Sequence, residues 1–345
     1  MENMRALLRL DLDDVRMIGI WGPPGIGKTT IARFLLSQVS KSFQLSTIMV
    51  NIKECYPSPC LDEYSVQLQL QNKMLSKMIN QKDIMIPHLG VAQERLKDKK
   101  VFLVLDDVDQ LGQLDALAKE TRWFGPGSRI IITTENLRLL MAHRINHIYK
   151  VEFSSTDEAF QIFCMHAFGQ KHPYNGFYEL SREVTELAGG LPLGLKVMGS
   201  SLRGMSKQEW KRTLPRLRTC LDGKIESILM FSYEALSHED KDLFLCIACF
   251  FNYQKIKKVE KHLADRFLDV RQGLYVLAEK SLIHIGTGAT EMHTLLVQLG
   301  REIAHTQSTN DPRKSLFLVD EREICEALSD ETMVSFNIPS FIELS

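Results

Sequence analysis

The sequence has no long apolar run, no excess of either charge and no ordered array of cysteines, and each absence removes a class of protein. No apolar stretch approaches the ~20 residues needed to cross a bilayer. The opening MENMRALLRLDLDD is too charged to hold the apolar segment of a signal peptide. Lys and Arg number 42 against 43 Asp and Glu, so the net charge of −1 points to no polyanionic partner. The short basic clusters KDKK (97–100) and KIKK (255–258) read as solvated helix faces. Seven scattered cysteines, an odd number, fit a reducing compartment better than a disulfide framework. Two pairs invite a zinc reading, and neither sustains it. Cys55 and Cys60 sit in CYPSPC, a spacing uncommon for structural zinc; Cys246 and Cys249 lie inside the apolar run LFLCIACFF, where buried thiols are expected. There is no internal repeat and no low-complexity tract. The expectation is a soluble cytoplasmic protein, with the nucleus also open to it, that engages neither membrane nor a specific nucleic acid.

What is there is an ordinary globular composition, 44% apolar and 25% charged, in 345 residues, enough for two or three domains. The first ~150 residues alternate short β-type runs with helical patterns, the signature of a mostly parallel sheet. The strand candidates are MIGIW (17–21), TIMVNI (47–52), KVFLVL (100–105), SRIIITT (128–134) and HIYKVEF (147–153). Each is nearly continuous in apolar residues, as expected of strands covered by helices on both faces. From Ser154 helices dominate: STDEAFQIFCMHAF opens on candidate N-caps, YELSREVTELAGG stops at two glycines, and Pro192 opens LPLGLKVMGSSLRG. After about Asp222, KIESILMFSYEALSHEDKDLFLCIACFF reads as two helices broken near Ser237 by a capping-box-like SHED. The stretch from Asp269 to His305 then reads helix, strand, Gly-rich turn, strand, helix, the order of a winged helix. From Thr309 no period is sustained, and a linker or ragged end is expected.

The chemistry concentrates in GPPGIGKTT, Gly22 to Thr30, which matches G-x-x-x-x-G-K-[ST] between a strand and a helix. Gly22, Gly25 and Gly27 let the backbone curl so that N–H groups, with those of Ile26 and Thr30, face phosphates; the helix N-terminus adds partial positive charge. Lys28 would reach the β- and γ-phosphates, and the Thr29 hydroxyl would ligate Mg²⁺. VFLVLDDVD, 101–109, supplies the partner. Asp106 would hold Mg²⁺, mostly through its waters, and Asp107 would orient or deprotonate an attacking water. Asp109 reads as a cap for the following helix.

GPPGIGKTT, LVLDDVD, GSRIIITT, GLPLGL, LFLCIACFF and EMHTLL, in that order, resemble the NB-ARC module of plant NLR immune receptors. Asp109 and FLCIACFF are similar to the TIR-type subgroup. The resemblance implies an α/β P-loop domain with a parallel five-stranded sheet (1–153), a helical ARC1 domain (154–221) and a winged-helix ARC2 domain (222–308), followed by a linker or tail (309–345). It implies ADP or ATP as cofactor, with Mg²⁺, and a switch that self-associates on activation and works with TIR and leucine-rich-repeat regions. Neither region is found here, so the chain resembles a central fragment or a truncated member. The resemblance also sets Pro192 against the adenine and His293 against the β-phosphate of ADP; the residues themselves are equally compatible with a helix-start proline and a structural histidine.

Two positions depart from the family pattern. The strand that usually ends Thr-Thr-Arg here ends Thr133, Thr134, Glu135, and the Asp of Met-His-Asp is here Thr294. A carboxylate cannot stabilise a γ-phosphate. Glu135 should therefore either turn toward a basic neighbour such as Arg138 or Arg144, or leave a protein that senses ATP poorly. The favoured expectation is a switch with at most slow Mg-dependent ATPase activity. A motor-like AAA+ ATPase and a winged-helix DNA-binding regulator are the competing readings.

Overall fold

The computed structural model describes residues 2–56, 61–81, 84–286 and 288–310. The five apolar runs form strands β1 (Arg16–Trp21), β2 (Leu45–Met49), β3 (Val101–Leu105), β4 (Arg129–Thr134) and β5 (His147–Lys150). All pairings are parallel, in the order β2-β3-β4-β1-β5. β4 thus lies between the strand that feeds the glycine loop and the strand that ends in two aspartates. β3 and β4 are buried at every residue, as strands covered on both faces should be. The edges differ: β5 is only half-buried and stops at Lys150, because an edge strand has a neighbour on one side only. The expected strand 147–153 is therefore shorter and less covered than its composition suggests.

Helices Lys28–Val39, Glu63–Ile79, Gly90–Leu96, Leu111–Leu117 and Leu137–Ala142 intervene between strands. The helix Leu137–Ala142 approaches β1 so closely that a Cβ on Gly19 would stand 2.4 Å from Leu140 Cδ1. Arg129, wholly buried at the start of β4, needs partners for all its donors. It finds them in the carbonyls of Leu8, Arg9, Leu12, Asp14 and Ser128 and in the Asp14 carboxylate at 3.4 Å. Three further helices follow. Thr156–Phe168 is capped by Ser155 and Glu158, Tyr178–Leu187 ends at Gly189 and Gly190, both with positive φ, and Pro192–Leu202 has its proline in the first turn.

Contacts divide the chain into two compact units: Met1–Lys207 with Tyr275–Leu282, and Gln208–Leu274 with the chain from Ile283 onward. In the second unit, helix Gly223–Glu234 is capped by Asp222, and His238–Cys246 by Ser237, whose side chain accepts from the Asp240 N–H at 3.1 Å. The apolar run then winds into a π turn, Ile247–Phe251. Helices Ile256–Leu263 and Val270–Glu279 follow; the latter spans the division between the units. The antiparallel pair β6 (His284–Gly286) and β7 (Ala289–Glu291) leads to helix Thr294–Asn310. This is the expected winged-helix order. The tail from 311 and Cys60 lie outside the described residues. Among the described residues no cluster of metal-ligating side chains occurs, and no helix is long and apolar enough to cross a membrane.

Candidate functional site

β1 delivers the chain into a loop that only glycine makes easily: Gly25 has φ +74 and Gly27 φ +100. Ile26 N donates to Pro23 O at 3.4 Å, and Ile31 N to Gly27 O at 3.0 Å, so the curl passes directly into helix Lys28–Val39, with Thr30 in its first turn. Lys28 folds back under the loop, its Nζ donating to the carbonyls of Gly22 and Pro23 at 2.9 Å each. Burial pulls its pKa down, against the opposing charges of Glu135, Asp107 and Asp106.

Asp106 is brought to Lys28's neighbour. Its Oδ1 accepts from the Thr29 hydroxyl at 2.9 Å and from the Thr133 hydroxyl at 2.7 Å. Asp107 takes the left-handed conformation, φ +63, which Asp tolerates better than most residues. Its N–H donates to Thr133 Oγ1 at 2.9 Å. Burial pushes the Asp107 carboxyl up; Lys53 and Lys28 hold it back, while Glu135 and Asp106 add to the rise. Thr133 therefore links both aspartates, a role its position in an apolar strand did not announce. Asp109 is not the cap of the next helix. Gln110 holds that position, and Asp109 Oδ1 instead accepts from Gln113 Nε2 at 2.7 Å while Oδ2 lies 3.8 Å from Lys53 Nζ.

Glu135 turns toward a cation that the sequence did not suggest for it, Lys28. Its Oε1 stands 3.5 Å from Lys28 Nζ, and Arg138 pairs with Glu279 at 3.7 Å. The reason lies in desolvation: a buried ammonium gains more from a nearby carboxylate than an exposed guanidinium does. The Glu135 carbonyl accepts from Trp21 Nε1 at 3.0 Å and from Ser281 Oγ at 3.3 Å. Pro192 starts its helix beside the loop, but the residue that touches the loop is the next one. Leu193 N donates to Gly25 O at 3.1 Å, and a Cβ on Gly25 would stand 2.8 Å from Leu193 Cβ.

His293 and Thr294 belong to the second unit. His293 follows β7, and its Nδ1 accepts from Leu295 N at 3.2 Å, which leaves the proton of the neutral ring on Nε2. Asn252 fixes the residue before it, donating to Met292 O at 3.2 Å and accepting from Met292 N at 2.8 Å. Thr294 opens the last helix.

A glycine loop, a buried lysine and a threonine–aspartate pair at the carboxyl edge of a parallel sheet define the P-loop nucleotide-binding class. Residues 2–172 match the NB-ARC domain, and residues 237–308 match the winged-helix domain of Roq1-like disease resistance proteins. A probable disease resistance protein RPP1 of Arabidopsis thaliana is 70% identical over 96% of this chain, and the Arabidopsis disease resistance protein TAO1 is 60% identical over 99%. The chain belongs to the NB-ARC family of TIR-type plant disease-resistance proteins. It spans 28% and 29% of the length of those two relatives. Among solved structures, a Walker-type ATPase of Pyrococcus abyssi is similar with a TM-score of 0.58 at 13% identity, covering 87% of this chain and 94% of that one. At that identity the likeness is one of fold.

Proposed function

We propose that this chain is the ADP/ATP-binding switch of a plant intracellular immune receptor, controlling self-association and defence signalling together with TIR and leucine-rich-repeat regions. The domain division proposed is 1–153, 154–221 and 222–308. The observation that carries the reading is the Thr29–Asp106 hydrogen bond, which joins the two halves of a phosphate–cation site across the sheet edge. Two hard oxygen donors from separate elements, with a buried ammonium alongside, fit Mg²⁺ and a polyphosphate. Thr29 and Asp106 would hold the ion, which when bound neutralises phosphate charge. Gly22, Gly25, Ile26, Gly27 and Thr30 would present backbone N–H groups, Lys28 would pair with the phosphates, and Asp107 would orient a water. Pro192 would lie against the base, and His293 would donate from Nε2 to the phosphate side.

Glu135 gives this switch its character. Its carboxylate already sits on Lys28, so an incoming phosphate competes with a built-in anion. A ligand shifts an equilibrium only by how differently it binds two states. A carboxylate here works against a preference for ATP, and Thr294 lacks the charge that would steady His293, so the active arrangement is reachable with ADP. Turnover, if any, stays below ~1 s⁻¹. The nucleotide that co-purifies with the chain, followed by calorimetry with ADP and ATP, tests this. Glu135→Arg is expected to raise the ATP-over-ADP ratio about tenfold, and Thr294→Asp to slow ADP release. A wild type that prefers ATP by about a hundredfold, with the ratio unmoved by Glu135→Arg, would sink the idea.

A further inference from the structure

Along the carboxyl edge of the sheet, the charges follow the strand order. The turn after β2 carries Lys53, β3 leads into Asp106 and Asp107, β4 leads into Glu135, and the loop after β1 leads to Lys28. The centre of that edge is negative and both flanks are positive. Lys28 reaches the centre from one side, at Glu135. Lys53 reaches it from the other, 3.8 Å from Asp109, and its charge acts on Asp107.

Lys53 is placed there by backbone geometry. Asn51, with φ +51, turns the chain; Ile52 N then donates to Asp106 O at 3.2 Å, and Asp106 N to Met49 O at 2.9 Å. The turn Ile52–Cys55 is thus stapled to the aspartate that receives Thr29, and any position Lys53 takes is referenced to that aspartate. Its anchor is also fixed, because Asp109 is bonded to Gln113, which is wholly buried. Yet 3.8 Å is longer than the ~2.7–2.9 Å of a charge-assisted hydrogen bond. The pair with Asp109 is therefore weaker than a hydrogen-bonded one.

We propose that Lys53 is a specificity-determining residue of the phosphate site: its ammonium admits a terminal phosphate group beside Asp107 and Glu135. This rests on the nucleotide reading of the same loop. A diphosphate ends within reach of Lys28 and needs little else. A third phosphate extends toward four carboxylates, those of Asp106, Asp107, Asp109 and Glu135, and the flank opposite Lys28 supplies Lys53 against them. The seat on Asp109 keeps the charge close when the terminal phosphate is absent.

The test uses the full chain with Lys53→Gln, Lys53→Arg and Asp109→Asn, titrated with Mg-ADP and with a non-hydrolysable Mg-ATP analogue by calorimetry. Lys53→Gln should weaken the triphosphate about tenfold and the diphosphate less than about twofold. Lys53→Arg should restore most of the loss. Asp109→Asn, which removes a carboxylate that competes for Lys53, should raise the triphosphate-to-diphosphate ratio. Equal weakening of both nucleotides, or a lowered unfolding midpoint with an unchanged ratio, would show a merely structural lysine and overturn the proposal. A wild type that binds neither nucleotide overturns the nucleotide reading itself, and this inference with it.

Discussion

The first unit buries many more polar side chains than the second. The first buries Lys28, Asp106, Thr133, Thr134, Gln113, Ser128 and Arg129 among its apolar side chains, most of them at the ends of the central strands. The second buries Leu243, Phe244, Leu245, Cys246, Ile247 and Ala248 without a break, with Phe251 buried just beyond, and a Cβ on Gly300 would stand 2.4 Å from Ala248 Cβ. A buried polar group costs free energy unless it is paired, so a unit that gathers Lys28, Asp106, Thr133 and Thr134 at the carboxyl edge of its sheet is organised there around a ligand or a switch. A unit that buries hydrocarbon is organised around its own packing. The contrast teaches where substitutions should alter binding and where they should alter only stability.

The largest effect should come from the second unit. Phe244→Ala removes a fully buried ring and should lower stability by ~3–5 kcal/mol, read from denaturant unfolding. A loss below about 1 kcal/mol would mean the run is not a packed core. Next comes the charge in the first unit. Lys28→Arg replaces a compact ammonium with a planar group that cannot keep both loop carbonyls at 2.9 Å. ADP affinity should fall at least tenfold, about 1.4 kcal/mol, and calorimetry showing unchanged affinity would break the site assignment. A smaller change should follow Glu135→Gln, which removes the anion that competes for Lys28; ADP should bind roughly threefold tighter, about 0.7 kcal/mol.

The last effect is one of pH. Burial pushes Cys246 up to about 12 and Cys249 up to about 11, from an ordinary 9.0. Burial likewise carries Tyr233 to about 12. These groups stay protonated in the folded unit and lose protons earlier when unfolded. Their contribution to stability is therefore complete below about pH 9 and is lost as pH rises through 11 to 12. Alkylation followed by mass spectrometry at pH 8 should label the exposed Cys220 and spare Cys246 and Cys249. Equal labelling of all three in the folded protein would contradict the buried run.

Much of this contrast could be read in the sequence, because motif and period are local properties. GPPGIGKTT between a strand and a helix, the paired aspartates closing an apolar strand, and the misplaced sign of Glu135 need no coordinates. What stayed hidden depends on which strands become neighbours. Lys28 is the partner of Glu135 because β4 lies beside β1, and Thr133 joins two aspartates because β4 also lies beside β3. Leu193 meets the glycine loop through a helix far along the chain, and Lys53 reaches Asp109 only once β2 has paired with β3. The half-exposure of β5 was invisible for the same reason, since an apolar run does not declare whether it will be an edge.

The indole of Trp21 sits where these neighbours converge. Its N–H is shared between the carbonyls of Glu135 and Glu279, at 3.0 and 3.3 Å, at the last residue of the strand that enters the glycine loop. Indole emission responds to the dipoles around the ring, and the backbone of Glu135 carries one of them. Trp123 and Trp210 are buried, whereas Trp21 is half-buried beside the phosphate loop. The molecule therefore carries its own optical gauge: a nucleotide that draws Lys28 away from Glu135 should shift the colour of Trp21, and Trp21→Phe should silence that shift without a label ever being attached.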